Sequence, residues 1–420
     1  MRRTSSILVV VLVLVVAACS ERPASIGGGA SAVPREVLFA TTSEGPVTIE
    51  VPSGTVRFER AGALASADGT RVYAAASSAG RTVVETNDAV SGALLSRSSV
   101  DGVHTLAVVS GSGRAAALVD PLPTGWDPAL PVPRSSTSIV VADPTGRAGS
   151  KTFRLRGNYE PEAFSVDDRQ LFLIQHLPAE APTVYRVTVL DLRRGIVYPV
   201  IGPYKGPPER MPGTRLEQVP APDGARLYTL YSSSRPGFAP HGAPVPANAD
   251  VSFVHVLDLR EGWAHCVGLP RPLWDRPAAE QALAVSPDGS TLFVVDAAAG
   301  VVVAMDAATL ETRVATSVGF GAVSADDAAA QVSADGRTLF VAATGDESTL
   351  FAVDTETLVV AHRWDVDGPV SGLGLSADGE RLYVALGHGV EIVDPSTGGL
   401  LADVPLDATG PVVRLAPIAA

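Results

Sequence analysis

Residues 283–295 read LAVSPDGSTLFVV, an apolar run, a Ser-Pro-Asp-Gly turn and a second apolar run. Each position in the turn has a physical task. Ser caps the turn, Pro takes a helical φ, Asp bonds the local backbone, and Gly supplies φ > 0. β-Branched and aromatic residues then restart a strand. The phrase is therefore a tight hairpin, and it recurs. Working outward, its copies are LASADGTRVY (64–73), VVSGSGRAAA (108–117), AFSVDDRQLF (163–172), VPAPDGARLY (219–228), AVSPDGSTLF (284–293), QVSADGRTLF (331–340) and GLSADGERLY (374–383). The second and third copies are degenerate. Successive copies start 44, 55, 56, 65, 47 and 43 residues apart, a period of propeller blades or solenoids.

A second turn follows each phrase, opening on Asp88, Asp143, Asp191, Asp258, Asp306, Asp354 and Asp394. Each unit is thus four strands, A to D, with one Asp turn between A and B and another between C and D. No segment shows a convincing helical period. Strands such as VVVAM (301–305) and LFVVD (292–296) are almost continuously apolar, which fits sheets covered on both faces.

The last three units resemble the YVTN-type, WD40-like β-propeller repeat, whose pattern is roughly VAVSPDG-LYVAN-VSVID-VVATI. The likeness is close from about 281 to 410 and loose over the rest of the repeats. It implies an all-β propeller of four-stranded antiparallel blades and names no single activity. Seven phrases suggest seven blades. Two leftovers add one. EVLFATTSEGPVTIEVPSGTVRFERAG (36–62) reads as B, C and D without an A, and GPVVRLAPI (410–418) aligns with GPVSGLGLS (368–376) and reads as an A alone. Joined, they form a composite blade that pairs both chain ends and removes open sheet edges. Eight blades are therefore expected, in one domain over 36–420; if the leftovers only decorate the ring, the number is seven.

The N-terminus reads MRRTSSILVVVLVLVVAACS. Arg2 and Arg3 form a positive region, Ile7 to Val16 a short apolar one, and small residues precede Cys19. Ten apolar residues are too few to cross a bilayer, so residues 1–18 read as a secretory signal peptide. Val16-Ala17-Ala18-Cys19 resembles the lipobox of bacterial lipoproteins, which implies cleavage before Cys19, lipidation of its thiol, and an extracytoplasmic, membrane-anchored protein. Residues 19–35 would be a flexible tether. Cys266 then remains as the other cysteine, in the apolar run WAHCVGLP, where it reads as a buried small hydrophobe.

The formal net charge is −13, with two lysines, Lys151 and Lys205. Such a surface repels phosphate backbones and argues against nucleic acid as partner. The seven histidines show no HExxH or paired metal spacing, and no G-x-S-x-G is present, so neither metal, cofactor nor catalytic residues are assigned. Asp365-Val366-Asp367-Gly368 resembles a fragment of a calcium loop without its other ligands and reads as a turn between blades.

A–B and C–D turns are short. The long insertions, 120–137, 176–183, 203–217, 232–250 and 268–280, all fall in B–C or D–A positions of the second to fourth units. In a propeller these lie on one face, where binding develops on rigid scaffolds. They carry Trp126, Tyr204, Lys205, Arg210, Phe238, His241 and Trp274, the candidate binding residues. The leading expectation is a binding or scaffold module for an envelope protein or polymer. The alternative is a propeller enzyme of lactonase-like or quinoprotein-dehydrogenase-like type, for which Glu217 and Glu280, ahead of neighbouring A strands, would form a carboxylate pair. A third reading is a purely structural spacer in an envelope assembly.

Overall fold

The computed structural model describes residues 36–42, 45–127, 130–202, 210–211, 213–233, 251–270, 273, 276, 280–320, 325, 327–345, 347–406 and 414–418. The expected signal peptide (1–18), Cys19 and the expected tether (19–35) lie outside these residues. The strands form eight four-stranded antiparallel sheets. Seven are built in chain order, and we number them blades 1 to 7 after their phrases. The eighth is composite: Arg414–Ile418 is its inner strand A, beside Glu36–Thr42, then Gly45–Val51, then Thr55–Glu59. Val37 pairs with Ile418 and Thr41 with Arg414, so the chain ends share one sheet. Eight blades, not seven, make the ring, and no α-helix occurs among the described residues.

The turns do what their composition dictates. In blades 1, 3, 5, 6 and 7 the phrase serine donates to the Asp two positions on at 2.5–2.7 Å. The same Oγ accepts the backbone N–H five positions on at 2.9–3.0 Å, which starts strand B. The residue after the Asp is left-handed, φ +65 to +75° for Gly69, Gly224, Gly289, Gly336 and Gly379. Each C–D aspartate accepts backbone N–H groups two or three residues on, at 2.7–3.3 Å. The repeated aspartates therefore build turns.

The core is eight apolar clusters, one in each gap between neighbouring blades. This explains the continuously apolar strands, because alternate side chains face different neighbours. In Glu36–Thr42, Val37 and Phe39 pack towards blade 1, while Leu38 and Ala40 pack towards blade 7. The seam between blade 7 and the composite blade is also ionic. Arg381 and Tyr383 both hydrogen-bond the Glu36 carboxylate, and Arg381 bridges to Asp378 at 3.1 Å.

Candidate functional site

Strands A run from the loop-bearing face to the Ser-x-Asp-Gly face, and those of neighbouring blades pack together at the inner rim. Most begin or continue apolar, as in QALAV (281–285) and VSGLGL (370–375). Two do not. Strand A of blade 3 is NYEPEAF (Asn158–Phe164), and that of blade 4 is TRLEQVP (Thr214–Pro220).

Both strands carry a β-bulge, and the bulges decide where the charges go. In blade 3 the register shifts between Pro161 and Ala163, leaving Glu162 unpaired in the ladder. In blade 4 it shifts between Arg215 and Glu217. A bulge reverses side-chain parity beyond it. Arg215, opposite Tyr231, faces blade 3; Glu217, opposite Leu230, faces blade 5, where its Oε2 accepts the Leu283 N–H at 2.7 Å.

Arg215 is the hub of the resulting cluster. Its Nη1 donates to Glu162 Oε2 at 2.7 Å and its Nη2 to Glu160 Oε1 at 3.2 Å. Glu160 Oε2 accepts from His176 Nε2 at 3.2 Å; a carboxylate can only accept, so Nε2 carries the proton. One pleat deeper, Gln218 Nε2 donates to Glu162 Oε1 at 2.7 Å and lies 3.3 Å from Thr229 Oγ1. The depth differs sharply: the Glu160 side chain is 44 % exposed, Arg215 17 % and Glu162 1 %. Partial burial pushes the Glu160 carboxyl up, but the His176 hydrogen bond and the Arg215 charge outweigh it and hold it well below the usual carboxylate range. Burial, aided by the Glu160 charge, pushes Glu162 the other way. Arg215 stays protonated, because its two carboxylates outweigh the cost of burial.

Two insertions frame this cluster. Asn158, buried at the head of the same blade 3 strand, donates through Nδ2 to Val132 O at 2.8 Å and to Ala179 O at 3.0 Å. It thereby ties the B–C loop of blade 2 to that of blade 3, helped by Arg134 N–H donating to Ala179 O at 3.1 Å. The insertions fall between strands B and C or D and A as expected, with their ends overlapping the flanking strands; Glu217 in particular lies inside strand A of blade 4, not ahead of it.

Of the candidate binding residues, Trp126 and Arg210 are described. The Trp126 ring is half-buried, and its Nε1 donates to Leu130 O at 2.8 Å, so it braces its own loop. Arg210 is exposed beside Met211, which pairs with Tyr185 of blade 3. Tyr204, Lys205, Phe238, His241 and Trp274 lie outside the described residues, as does Cys19. The conceivable pair Glu217 and Glu280 is not brought together as a free dyad: Glu217 holds Leu283, and Glu280 accepts from Arg276 at 2.6 Å. Cys266 is half-buried rather than fully enclosed. Among the described residues no group of three or more His, Cys, Asp or Glu is arranged to hold a metal ion.

No protein-family model matches the sequence, and no curated protein is similar to it in sequence. Solved structures are similar in fold. Apo AztD from Citrobacter koseri superposes with a TM-score of 0.55 at 12 % identity, covering 92 % of this chain and 98 % of that one. The dihydro-heme d1 dehydrogenase NirN, in complex with DHE, gives 0.53 at 14 % identity over 94 % of this chain and 77 % of the other. At these identities the likeness is one of fold, and the chain is an eight-bladed β-propeller.

Proposed function

We propose that this protein is an extracytoplasmic lipoprotein, anchored through Cys19, whose YVTN-like propeller binds an envelope protein or polymer at its loop-bearing face, in the sector of blades 2 to 4. One observation carries the reading. The Glu160–Arg215–His176 group keeps part of its charge exposed at the loop-bearing end of two inner strands, under insertions that Asn158 stitches into one platform. A charged group held rigid from below by Glu162 and Gln218 is preorganised for polar recognition. The N-terminal pattern supports the anchor. A partner bound there is distinguished by affinity capture from envelope extracts with the intact protein. Capture should fall at least tenfold in Glu160→Gln and on replacing 120–135 by a short glycine linker, with thermal stability nearly kept. Capture that survives both changes refutes this face. Cys19→Ala should release the protein from the membrane fraction.

One observation favours a second reading, an enzyme of lactonase-like or quinoprotein-dehydrogenase-like type: Glu160 and Glu162 are driven apart in proton affinity, as acid–base pairs are. Both Glu162 oxygens are nevertheless committed, to Arg215 and Gln218, which favours binding. Turnover of lactones or sugar esters that is lost in Glu160→Gln would reverse that preference.

A further inference from the structure

A second constellation lies in the same gap between blades 3 and 4, beside the charged cluster: His255 opposes Thr229, whose Oγ1 lies 3.3 Å from Gln218 Nε2. His255 and Cys266 are directly opposed on strands C and D of blade 4, the antiparallel pair Val251–Asp258 and Trp263–Gly268. Opposed residues on one sheet face place their Cβ atoms about 4.5–5.5 Å apart. Both point towards blade 3, since Phe253, Leu257, Ala264 and Cys266 share its cluster. Met211, in the connection between the two blades, brings its Sδ to 2.9 Å from Cys266 Sγ. The thiol therefore meets a thioether from the connection between the blades and lies opposite an imidazole on the adjacent strand.

His255 is the independent sign of a ligand. It is 2 % exposed, and its Nε2 has no hydrogen-bond partner among the described residues. Buried polar atoms are satisfied as a rule, and an orphan nitrogen calls for a reason. An imidazole ligates a metal through the lone pair of its unprotonated ring nitrogen.

We propose that His255 Nε2, Cys266 Sγ and Met211 Sδ form a site for a soft monovalent metal ion of the Cu(I) class. Sulfur ligands exclude hard ions such as Ca(II), and the thioether favours Cu(I) over Zn(II). Charge selects the monovalent one. The ring contacts are aromatic, with Tyr185 stacked on Tyr231 at 5.1 Å and Tyr231 on Phe253 at 5.5 Å, and the buried Glu162 of the adjacent cluster is already paired with Arg215 and Gln218. When Cu(I) enters, the thiol loses its proton to solvent and the sulfur–metal bond forms. Metal plus thiolate are then neutral, whereas a divalent ion would leave a net charge in an apolar gap, which is costly. The site does not depend on the binding face proposed above.

The test is anaerobic titration of the full chain, carrying Cys19→Ser so that Cys266 is the thiol read out, against Cu(I) held by bicinchoninate. One Cu(I) per chain should be withdrawn, with a thiolate-to-metal absorption band in the ultraviolet. Cys266→Ser should abolish both signals. Met211→Leu, which keeps the thiol and the fold, and His255→Gln should each weaken binding at least about tenfold, the lower end of what even ligand-supporting partners contribute. Unfolding midpoints measured without metal separate misfolding from ligand loss; should Cys266→Ser misfold, Met211→Leu decides. No Cu(I) withdrawn, equal affinity in Met211→Leu and His255→Gln, or preferential Zn(II) binding would each overturn the proposal.

Discussion

Replacing Arg381 by Met asks how much the seam of the ring depends on its ionic lock. The Arg381 side chain is 6 % exposed, and its partners are Glu36 of the composite blade, Asp378 and Tyr383. Removing one member of a buried pair costs about 3–5 kcal/mol, because the remaining charge stays desolvated. Glu36 retains 19 % exposure and the Tyr383 hydroxyl, so the lower end, about 3 kcal/mol, is expected. In a domain this large each kcal/mol moves the melting point by roughly 2 °C, which gives a drop of about 6 °C. Replacing both ends, Arg381→Met with Glu36→Leu, removes the stranded charge and should recover about half of the loss. Thermal unfolding by circular dichroism at a fixed scan rate measures all three variants, and limited proteolysis reports whether the strand at residues 36–42 detaches first. A drop under about 1 °C in Arg381→Met, or a double variant whose losses simply add, refutes the view that this buried pair holds the seam.

Deleting 410–420 strips strand A from the composite blade and bares the edge of Glu36–Thr42; it should produce concentration-dependent association in sedimentation velocity, absent in the full chain. Acid should unfold the ring steeply. In Asp167, Asp288 and Asp335 the seryl hydrogen bond and then a backbone N–H hold the carboxyl below its ordinary value, and in Asp306 the Thr309 N–H and Arg313 hold it at about 2. A depressed folded pKa contributes stability that is present above the unfolded value and lost as pH falls through the folded one. The loss should therefore run from about pH 4 to pH 2, and Asp→Asn at Asp288 and Asp335 together should flatten it in acid-unfolding curves. Asn158→Leu removes two hydrogen bonds that tie the loops together; it should cost about 1–3 kcal/mol in urea unfolding and make 120–135 the first site of proteolytic cleavage.

The ring itself was readable because the signals were local and repeated: an Asp turn needs its own Ser and Gly within a few residues, and seven copies reinforce one another. The composite blade was also legible, since GPVVRLAPI could be aligned to a complete unit. The charged cluster was not. Glu160, Glu162 and Arg215 sit in two strands whose bulges invert the alternation, so counting by twos puts Arg215 and Glu217 on one face when the structure sends them to opposite blades. The available signal was the charge itself, in inner strands that elsewhere are apolar. His176 was visible as one histidine among seven, and its link to Glu160 depends on strand pairing between Asn158 and His176, which spacing alone does not give. Large side chains on insertions drew notice instead, yet Trp126 spends its indole N–H on its own loop.

The two degenerate phrases touch each other. Blade 2 carries Ser112 where the pattern has Asp, and blade 3 carries Asp168, at φ +59°, where it has Gly. Ser112 Oγ donates to the Asp168 carboxylate, and Arg114 approaches it at 3.5 Å. The two departures from the pattern are thus joined by one hydrogen bond across the blade boundary. Correcting Asp168 to glycine would remove this bond and leave Ser112 with Ser110 and Arg114, whereas correcting Ser112 to aspartate would set two carboxylates against each other, so the two turns are coupled energetically across the blade boundary.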